Sequence, residues 1–286
     1  MTTNEALRAI TTQLLPIYPT PTAALQAAWL ILEHVTKLTR TALLVHNQVL
    51  SEDQEQEITK IVNEITVEHK PLDYILGTVP FLDLTLTITP PILIPRQETV
   101  WWCFELLKKL SETTPSPRHV LDIGTGSGCL ALSIGKSLPE SIIDAVDISE
   151  TALKLARFNR EKNHVSNVNF IHSNLFDGLP NTPSYDLIVS NPPYIDEDDW
   201  KQLDPSVKRW EDKGALVAEE NGYALIAKII EQAPQYLANN GQLWIEIGAA
   251  QGAQVQALFT KFGFKQVTLL QDLYGRDRVV HGVWNK

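Results

Sequence analysis

Asn191-Pro192-Pro193-Tyr194 places a side-chain amide, two prolines and a phenol in four consecutive positions. The run before it, Tyr185-Asp186-Leu187-Ile188-Val189-Ser190, is short and mostly bulky and apolar, which predicts a buried strand. The two prolines fix φ twice and remove two backbone donors, so the strand stops there. A stiff shelf at the C-terminal end of a strand results. Some carbonyls on such a shelf escape the sheet ladder and can accept hydrogen bonds from a ligand. A planar NH2 group is the guest that such acceptors suit. Taken alone, the tetrapeptide also reads as a Pro-Pro turn opened by an asparagine.

A second constellation lies upstream. His119-Val120-Leu121-Asp122-Ile123 reads as a strand, Gly124-Thr125-Gly126-Ser127-Gly128 as a turn, and the apolar spacing from Cys129 onward as a helix. Glycines at alternate positions let the backbone turn tightly and approach a ligand closely. The spacing is G-x-G-x-G and not the dinucleotide fingerprint, because position 129 is Cys. The next strand is expected over 141–147 and ends in Asp147. An acid about 20 residues past the glycines suits the two ribose hydroxyls of a nucleoside cofactor. The P-loop pattern is absent, and Ser127 lacks the G-x-S-x-G frame of a nucleophile elbow.

The elements that must carry these residues are legible at low resolution. The 286 residues leave room for a catalytic core and a small accessory domain, and 44% apolar with 20% charged residues is ordinary for a globular protein. Residues 1–77 are rich in helix formers, with helices expected to about Pro16, over 24–38, and from the Ser51 N-cap through Ile65. Trp29 falls on the apolar face of the second and reads as core. Residues 78–97 are read as a β-hairpin linker: Leu82, Leu84, Leu86 and Ile88 alternate with polar residues, Pro90-Pro91 turns the chain, and Ile92-Leu93-Ile94 returns. Residues 98–286 are then a catalytic domain, opening with a helix over 98–110 and a polar link over 111–118.

From 119 onward strands alternate with helical segments, predicting an α/β, mostly parallel, Rossmann-like sheet with an antiparallel pair at 264–270 and 278–284. In such sheets ligands bind beyond the C-terminal strand ends. One crevice therefore receives the glycine turn, Asp147 and the Asn191 shelf together. The formal net charge of −10 disfavours a protein that grips many phosphates. Cys103 and Cys129 sit in apolar helical patterns and read as buried free thiols of a reducing cytoplasm. The seven histidines show no ligand spacing, so no metal is expected. No run is long enough to span a bilayer, and the first residues show no signal-peptide pattern.

The strings "DIGTGSG", "AVDIS" and "IVSNPPYI" resemble class I S-adenosylmethionine-dependent methyltransferases acting on a planar nitrogen. More narrowly, "KPLDYILG", "ILIPRQET", "NPPYI", "IEIGAAQG" and "DLYGRDRVV", in that order, resemble the peptide chain release factor glutamine N5-methyltransferases over nearly the whole chain. The resemblance implies that Gly124, Thr125, Gly126, Ser127, Gly128, Asp147 and Asn191 bind S-adenosylmethionine, with Leu175 along the adenine. It implies that Asn191, Pro192, Pro193 and Tyr194 hold the glutamine of a Gly-Gly-Gln motif, and that the partner is a class I release factor met in the cytoplasm. Residues 1–77 would recognise that protein. Physically, the Asn191 side-chain oxygen and the Pro192 carbonyl would accept the two N–H bonds of the substrate amide, and Tyr194 would pack on its plane. The acids Asp196, Glu197, Asp198 and Asp199 read as a solvated helix start rather than a base.

The chain departs from the family pattern in three places. Gln97 stands where Pro is common, Arg209-Trp210-Glu211-Asp212 where Tyr-Glu-Pro is usual, and Asn174 where Asp is common. Arg96 and Glu98 either orient the cofactor or cap the following helix. Two other substrates keep the same shelf: a glutamine of a ribosomal protein, favoured less by "KPLDYILG" and "LIPRQET", and an exocyclic amine of a nucleobase, which calls for a basic face that is not visible.

Overall fold

The computed structural model describes residues 1–112, 115–180 and 185–286, so residues 113–114 of the expected link at 111–118 lie outside it. The chain divides into two compact units, Met1–Gly77 with Asp204–Trp210, and Thr78–Leu203 with Glu211–Lys286.

The first unit is helical: α1 (Thr3–Leu14), α2 (Pro21–Thr36), α3 (Arg40–Val45), α4 (Glu52–Thr66) and α5 (Leu72–Leu76). Each of the first four starts where a side chain can serve an orphan N–H. Thr2 and Ser51 form capping boxes with Glu5 and Gln54, and Thr20 and Thr39 cap α2 and α3. The core gathers Ile10, Leu14, Ala28, Leu32, Ile61 and Ile65, with Trp29 packed against it. The short α3 was not visible as a separate helix in the apolar spacing. The helix Pro205–Trp210 belongs to this unit, with the Trp210 indole donating to the Glu68 carbonyl at 3.1 Å.

The second unit opens with β1 (Thr78–Phe81) and β2 (Leu84–Thr87), paired antiparallel. The expected hairpin exists, but its turn falls at Leu82-Asp83 instead of Pro90-Pro91, and residues 92–94 form no strand. Leu82 takes φ +49 there, a turn conformation that a leucine does not advertise. β2 is held by the Thr87 N–H donating to Asn159 Oδ1 at 2.7 Å.

There follow α6 (Gln97–Glu112), β3 (His119–Ile123), α7 (Cys129–Ser137), β4 (Ile142–Asp147), α8 (Glu150–Lys162), β5 (Val168–His172) and β6 (Tyr185–Ser190). The stretch expected as a long connection holds two short helices, α9 (Glu197–Gln202) and α10 (Pro205–Trp210), the latter in the first unit. Asp196 caps α9 by accepting from the Asp198 and Asp199 N–H groups, which fits the reading of those acids as a helix start. The chain ends with α11 (Ala224–Gln232), β7 (Leu237–Glu246), α12 (Gly252–Lys261), β8 (Lys265–Gln271) and β9 (Asp277–Val283). Pro234 removes a donor, and α11 gives way to a 3-10 turn over Ala233–Gln235.

Among the described residues one seven-stranded sheet runs β5-β4-β3-β6-β7-β9-β8. Pairs from β5 to β7 are parallel, and β9 is antiparallel to both neighbours, as the sequence pattern predicts. The chain moves outward from β3 through β4 to β5, then returns to lay β6 on the other side of β3. Ligands bind at such a reversal, beyond the carboxyl ends of the two strands. Here those ends carry Gly124 and Asn191. No helix among the described residues is long and apolar enough to cross a membrane.

Candidate active site

The glycine turn divides its labour. Gly124 and Gly126 take φ +72 and +55, and a Cβ built on either would meet nothing within 4 Å. Both line a cavity of about 400 Å³. Gly128, at φ +85, serves packing instead: a Cβ there would lie 3.1 Å from Leu132 Cδ1 and 3.2 Å from Ala156 Cβ. Thr125 and Ser127, expected at the ligand, are buried behind the turn and do not line the cavity. Thr125 Oγ1 donates to Asp122 Oδ2 at 2.7 Å, and the Ser127 carbonyl accepts from Asn159 Nδ2 at 3.0 Å. Both therefore brace the turn from below. Asp122 is fully buried, and burial pushes its carboxyl up to about 7 against the pull of its Thr125 and Ala131 donors.

Asp147 ends β4 at the rim of the same cavity. Its Oδ2 accepts from the Gly126 N–H and its Oδ1 from the Ser149 N–H, both at 2.8 Å. A carboxylate has about four acceptor sites, so each oxygen keeps capacity for a hydroxyl. Burial raises this carboxyl above the usual range, and the backbone donors oppose that rise. Leu175 lines the cavity beside Asn174, in a turn where Leu175 takes φ +51 and its carbonyl accepts from Ser173 Oγ at 2.8 Å. Asn174 donates from Nδ2 to Asp177 Oδ2 at 3.2 Å.

At the opposite wall stand Ser190, Asn191, Pro192 and Pro193. Ser190 Oγ donates to the Ile123 carbonyl at 2.8 Å, locking the end of β6 to the end of β3. Tyr194 is set apart. It lines a second cavity of about 600 Å³ with Ile195, Asp196, Asn221, Tyr223 and Gln251. The tetrapeptide thus borders two cavities, one on its amide side and one on its phenol side. Burial and the nearby Glu246 push the Tyr194 phenol up.

Behind the shelf lies a network that the sequence did not disclose. Glu246, at the end of β7, is 1% exposed. Its Oε2 accepts from Thr99 Oγ1 at 2.7 Å and Trp102 Nε1 at 2.6 Å, and its Oε1 lies 3.4 Å from the Tyr194 hydroxyl. Asn191 Nδ2 donates to Thr99 Oγ1 at 3.2 Å. Burial raises the Glu246 carboxyl, while Trp102, Thr99 and Arg278 hold it down. A lone acid inside Leu243-Trp244-Ile245-Glu246-Ile247 was the available signal, because a carboxylate in so apolar a strand needs donors.

The rest of the enclosure comes from the segments whose roles the sequence left open. Arg96 Nη2 donates to both Glu211 oxygens, at 2.8 and 2.6 Å, and Glu211 is buried. The Asp212 N–H donates to the Pro91 carbonyl at 2.8 Å. This clasp brings Pro91, Ile92 and Leu93 together with Asp212, Gly214 and Ala215 around the cavity. Arg96 therefore spends its guanidinium on Glu211. The Arg96 carbonyl also accepts from the Val100 N–H in the first turn of α6. Glu98 lies 3.7 Å from Arg278, which pairs more closely with Asp272 at 3.0 Å.

Comparison with known proteins adds independent findings. The family model described as Methyltransferase small domain matches residues 105–217, and that described as PrmC N-terminal domain matches residues 5–77. A release factor glutamine methyltransferase of Lactococcus lactis is 39% identical over 258 residues, covering 90% of this chain and 92% of the relative. One from Aliivibrio fischeri is 35% identical, covering 98% of this chain and 97% of the relative. Among solved structures, a methyltransferase from Pyrococcus furiosus superposes with a TM-score of 0.52 at 17% identity, over 83% of this chain and all of that one. The Thermus thermophilus 16S rRNA N2 G1207 methyltransferase gives 0.54 at 16% identity, over 73% and 50%. These two likenesses bear on the fold alone, which is that of the methyltransferase α/β sheet.

Proposed function

This chain belongs to the release factor glutamine methyltransferase family, and from that premise we propose that it transfers a methyl group from S-adenosylmethionine to the side-chain amide nitrogen of the glutamine in the Gly-Gly-Gln motif of class I release factors. The observation that carries this reading is a single cavity with Gly124, Gly126 and Asp147 on one wall and Asn191-Pro192-Pro193 on another.

The residues fit the cofactor. Gly124 and Gly126 present bare backbone to open space, so a methionyl chain can lie against them, and Asp147 retains acceptor capacity for a ribose diol. Leu175 offers an apolar surface to the adenine. When bound, S-adenosylmethionine supplies an electrophilic methyl on a sulfonium. The protein supplies placement. An amide nitrogen is a weak nucleophile because its lone pair is delocalised into the carbonyl. The Asn191 side-chain oxygen and the Pro192 carbonyl accept its two N–H bonds and hold the nitrogen toward the cavity. The Tyr194 ring covers the amide plane and excludes water. Orientation of this kind contributes about 7–11 kcal/mol to lowering a barrier. Transfer would form the N–C bond as the bond between the methyl and sulfur breaks, leaving the donor as a neutral thioether. The nitrogen would give its surplus proton to bulk solvent as the methylated amide leaves the shelf, with no residue assigned as a base.

Met1–Gly77 is the part we assign to recognising the release factor, a reading supported by its match to the PrmC N-terminal domain. The site of action is then the cytoplasm, and the partner is a protein, which the net charge of −10 supports over nucleic acid. The test is transfer of tritiated methyl to a purified release factor and to its variant with the motif glutamine replaced by alanine. Label on the first alone is expected; label persisting on the second overturns the substrate assignment.

A further inference from the structure

The Asn191 amide has two chemically different ends, and only one serves a substrate that brings N–H groups. Which end faces the cavity is settled by hydrogen-bond polarity, starting from Trp102. An indole nitrogen only donates, so the Glu246 oxygen that it meets at 2.6 Å is an acceptor. The same oxygen takes the single hydroxyl proton of Thr99 at 2.7 Å. The Thr99 oxygen is left with lone pairs alone, so the Asn191 atom 3.2 Å away must be the NH2. The oxygen is therefore the end available to the cavity. Reversing the amide would set oxygen against oxygen at Thr99 and present NH2 to an incoming NH2.

We infer that Thr99, polarised by Glu246, is a positioning residue that fixes the orientation of the Asn191 amide for methyl transfer. The inference rests on the methyltransferase reading given above. Thr99 and Glu246 are each 1% exposed, and neither lines the cavity that holds Asn191. Thr99 stands in the first turn of α6, Asn191 just past β6 and Glu246 at the end of β7. Three elements from distant parts of the chain therefore agree on the direction of one side-chain amide. Burial makes the agreement binding, because an unpaired polar group is costly where water cannot replace the lost partner.

The test uses full-length Thr99→Val, which keeps the shape and removes the relay, and Thr99→Ser, which restores the hydroxyl. Thr99→Ala is the second relay-deficient variant should the valine protein not fold. Readouts are turnover at saturating release factor, the Michaelis constant for the release factor, cofactor affinity by calorimetry, and thermal midpoint. For Thr99→Val turnover should fall about ten- to hundred-fold, from the usual cost of unpairing a buried group. Cofactor affinity should stay within about threefold, and Thr99→Ser should recover turnover to within about threefold of wild type. Turnover of Thr99→Val within threefold of wild type overturns the inference. So does a loss that serine fails to restore, or one matched by an equal loss of cofactor affinity, since either assigns Thr99 to packing. Wild-type protein that leaves the release-factor glutamine unmethylated would count against the parent reading instead.

Discussion

Replacing Gly222 by alanine should displace the shelf while leaving all four of its residues unchanged. Gly222 holds φ +82, and a Cβ built there overlaps the Tyr194 carbonyl oxygen, lies 2.7 Å from its carbon and 2.9 Å from Gln251 Nε2. Ordinary van der Waals contact begins near 3.4 Å, and the obstacle is backbone that cannot swing aside. Gln251 Nε2 donates to that carbonyl at 3.1 Å, so relief by rotating Gln251 discards a hydrogen bond. The carbonyl must move by roughly an ångström, a misplacement that costs about a hundredfold in rate when it reaches the reacting groups. The left-handed backbone adds about 1–2 kcal/mol of stability loss. Gly275→Ala separates the two effects. It has φ +73 with nothing within 4 Å of a built Cβ, so it carries the backbone strain without the overlap. Single-turnover transfer of tritiated methyl, with calorimetry for the cofactor, should show Gly222→Ala slowed about a hundredfold with cofactor affinity nearly unchanged. Gly275→Ala should be slowed less than threefold while losing a similar amount of stability. Equal rates in the two variants would refute the reasoning that the Gly222 turn sets the height of the shelf.

Three further outcomes are expected. Asn191→Ala should lower turnover at least about a hundredfold while cofactor affinity stays within several-fold; calorimetry paired with single-turnover rates checks this, and undiminished turnover contradicts the role. Asp147→Ala should weaken cofactor binding by about ten- to a hundredfold, the value of hydrogen bonds to a charged group. Because burial raises the wild-type Asp147 carboxyl and its ionised form is the better acceptor, cofactor affinity should fall with decreasing pH at a higher pH than a free carboxylate would give. Asp122 titrates at about 7 in the fold against 3.8 when exposed, so its favourable protonated contribution is complete below the lower value and is lost as pH rises through the higher one. Asp122→Asn should remove that loss, worth about 2–3 kcal/mol between roughly pH 5 and pH 8. Urea unfolding at both pH values tests it, and parallel pH dependence of the two proteins rules it out.

The parts of the fold that announce themselves in sequence are those where local chemistry and tertiary role coincide. The strand over Tyr185–Ser190 was legible because its apolar run ends in two prolines that no central strand tolerates. The Ser51 cap was legible because its capping box is complete within four residues. Thr125 and Ser127 misled because a glycine-rich turn reveals which backbone approaches a ligand but not which way its intervening side chains point. The Leu82-Asp83 turn was hidden by an alternation that continued straight through it. The Thr99–Glu246 bond joins residues 147 positions apart and the Arg96–Glu211 clasp residues 115 apart, and no periodicity reports such separations. Short-range rules locate the strand ends; the partners that orient side chains there come from elsewhere in the chain.

The tetrapeptide's position between two cavities bears on how such a protein changes over evolutionary time. Gly124, Asp147 and Leu175 face the cavity on the amide side, while Asp196, Asn221 and Tyr223 face the one on the phenol side. Under the proposed reading, with the methyl donor in the first cavity and the Tyr194 ring against the acceptor amide, substitutions in the second group would reshape the surroundings of the acceptor and leave those of the donor unaltered. A partition of this kind would let acceptor choice drift while the donor stays fixed, so that one inherited chemistry could be offered to successive protein partners.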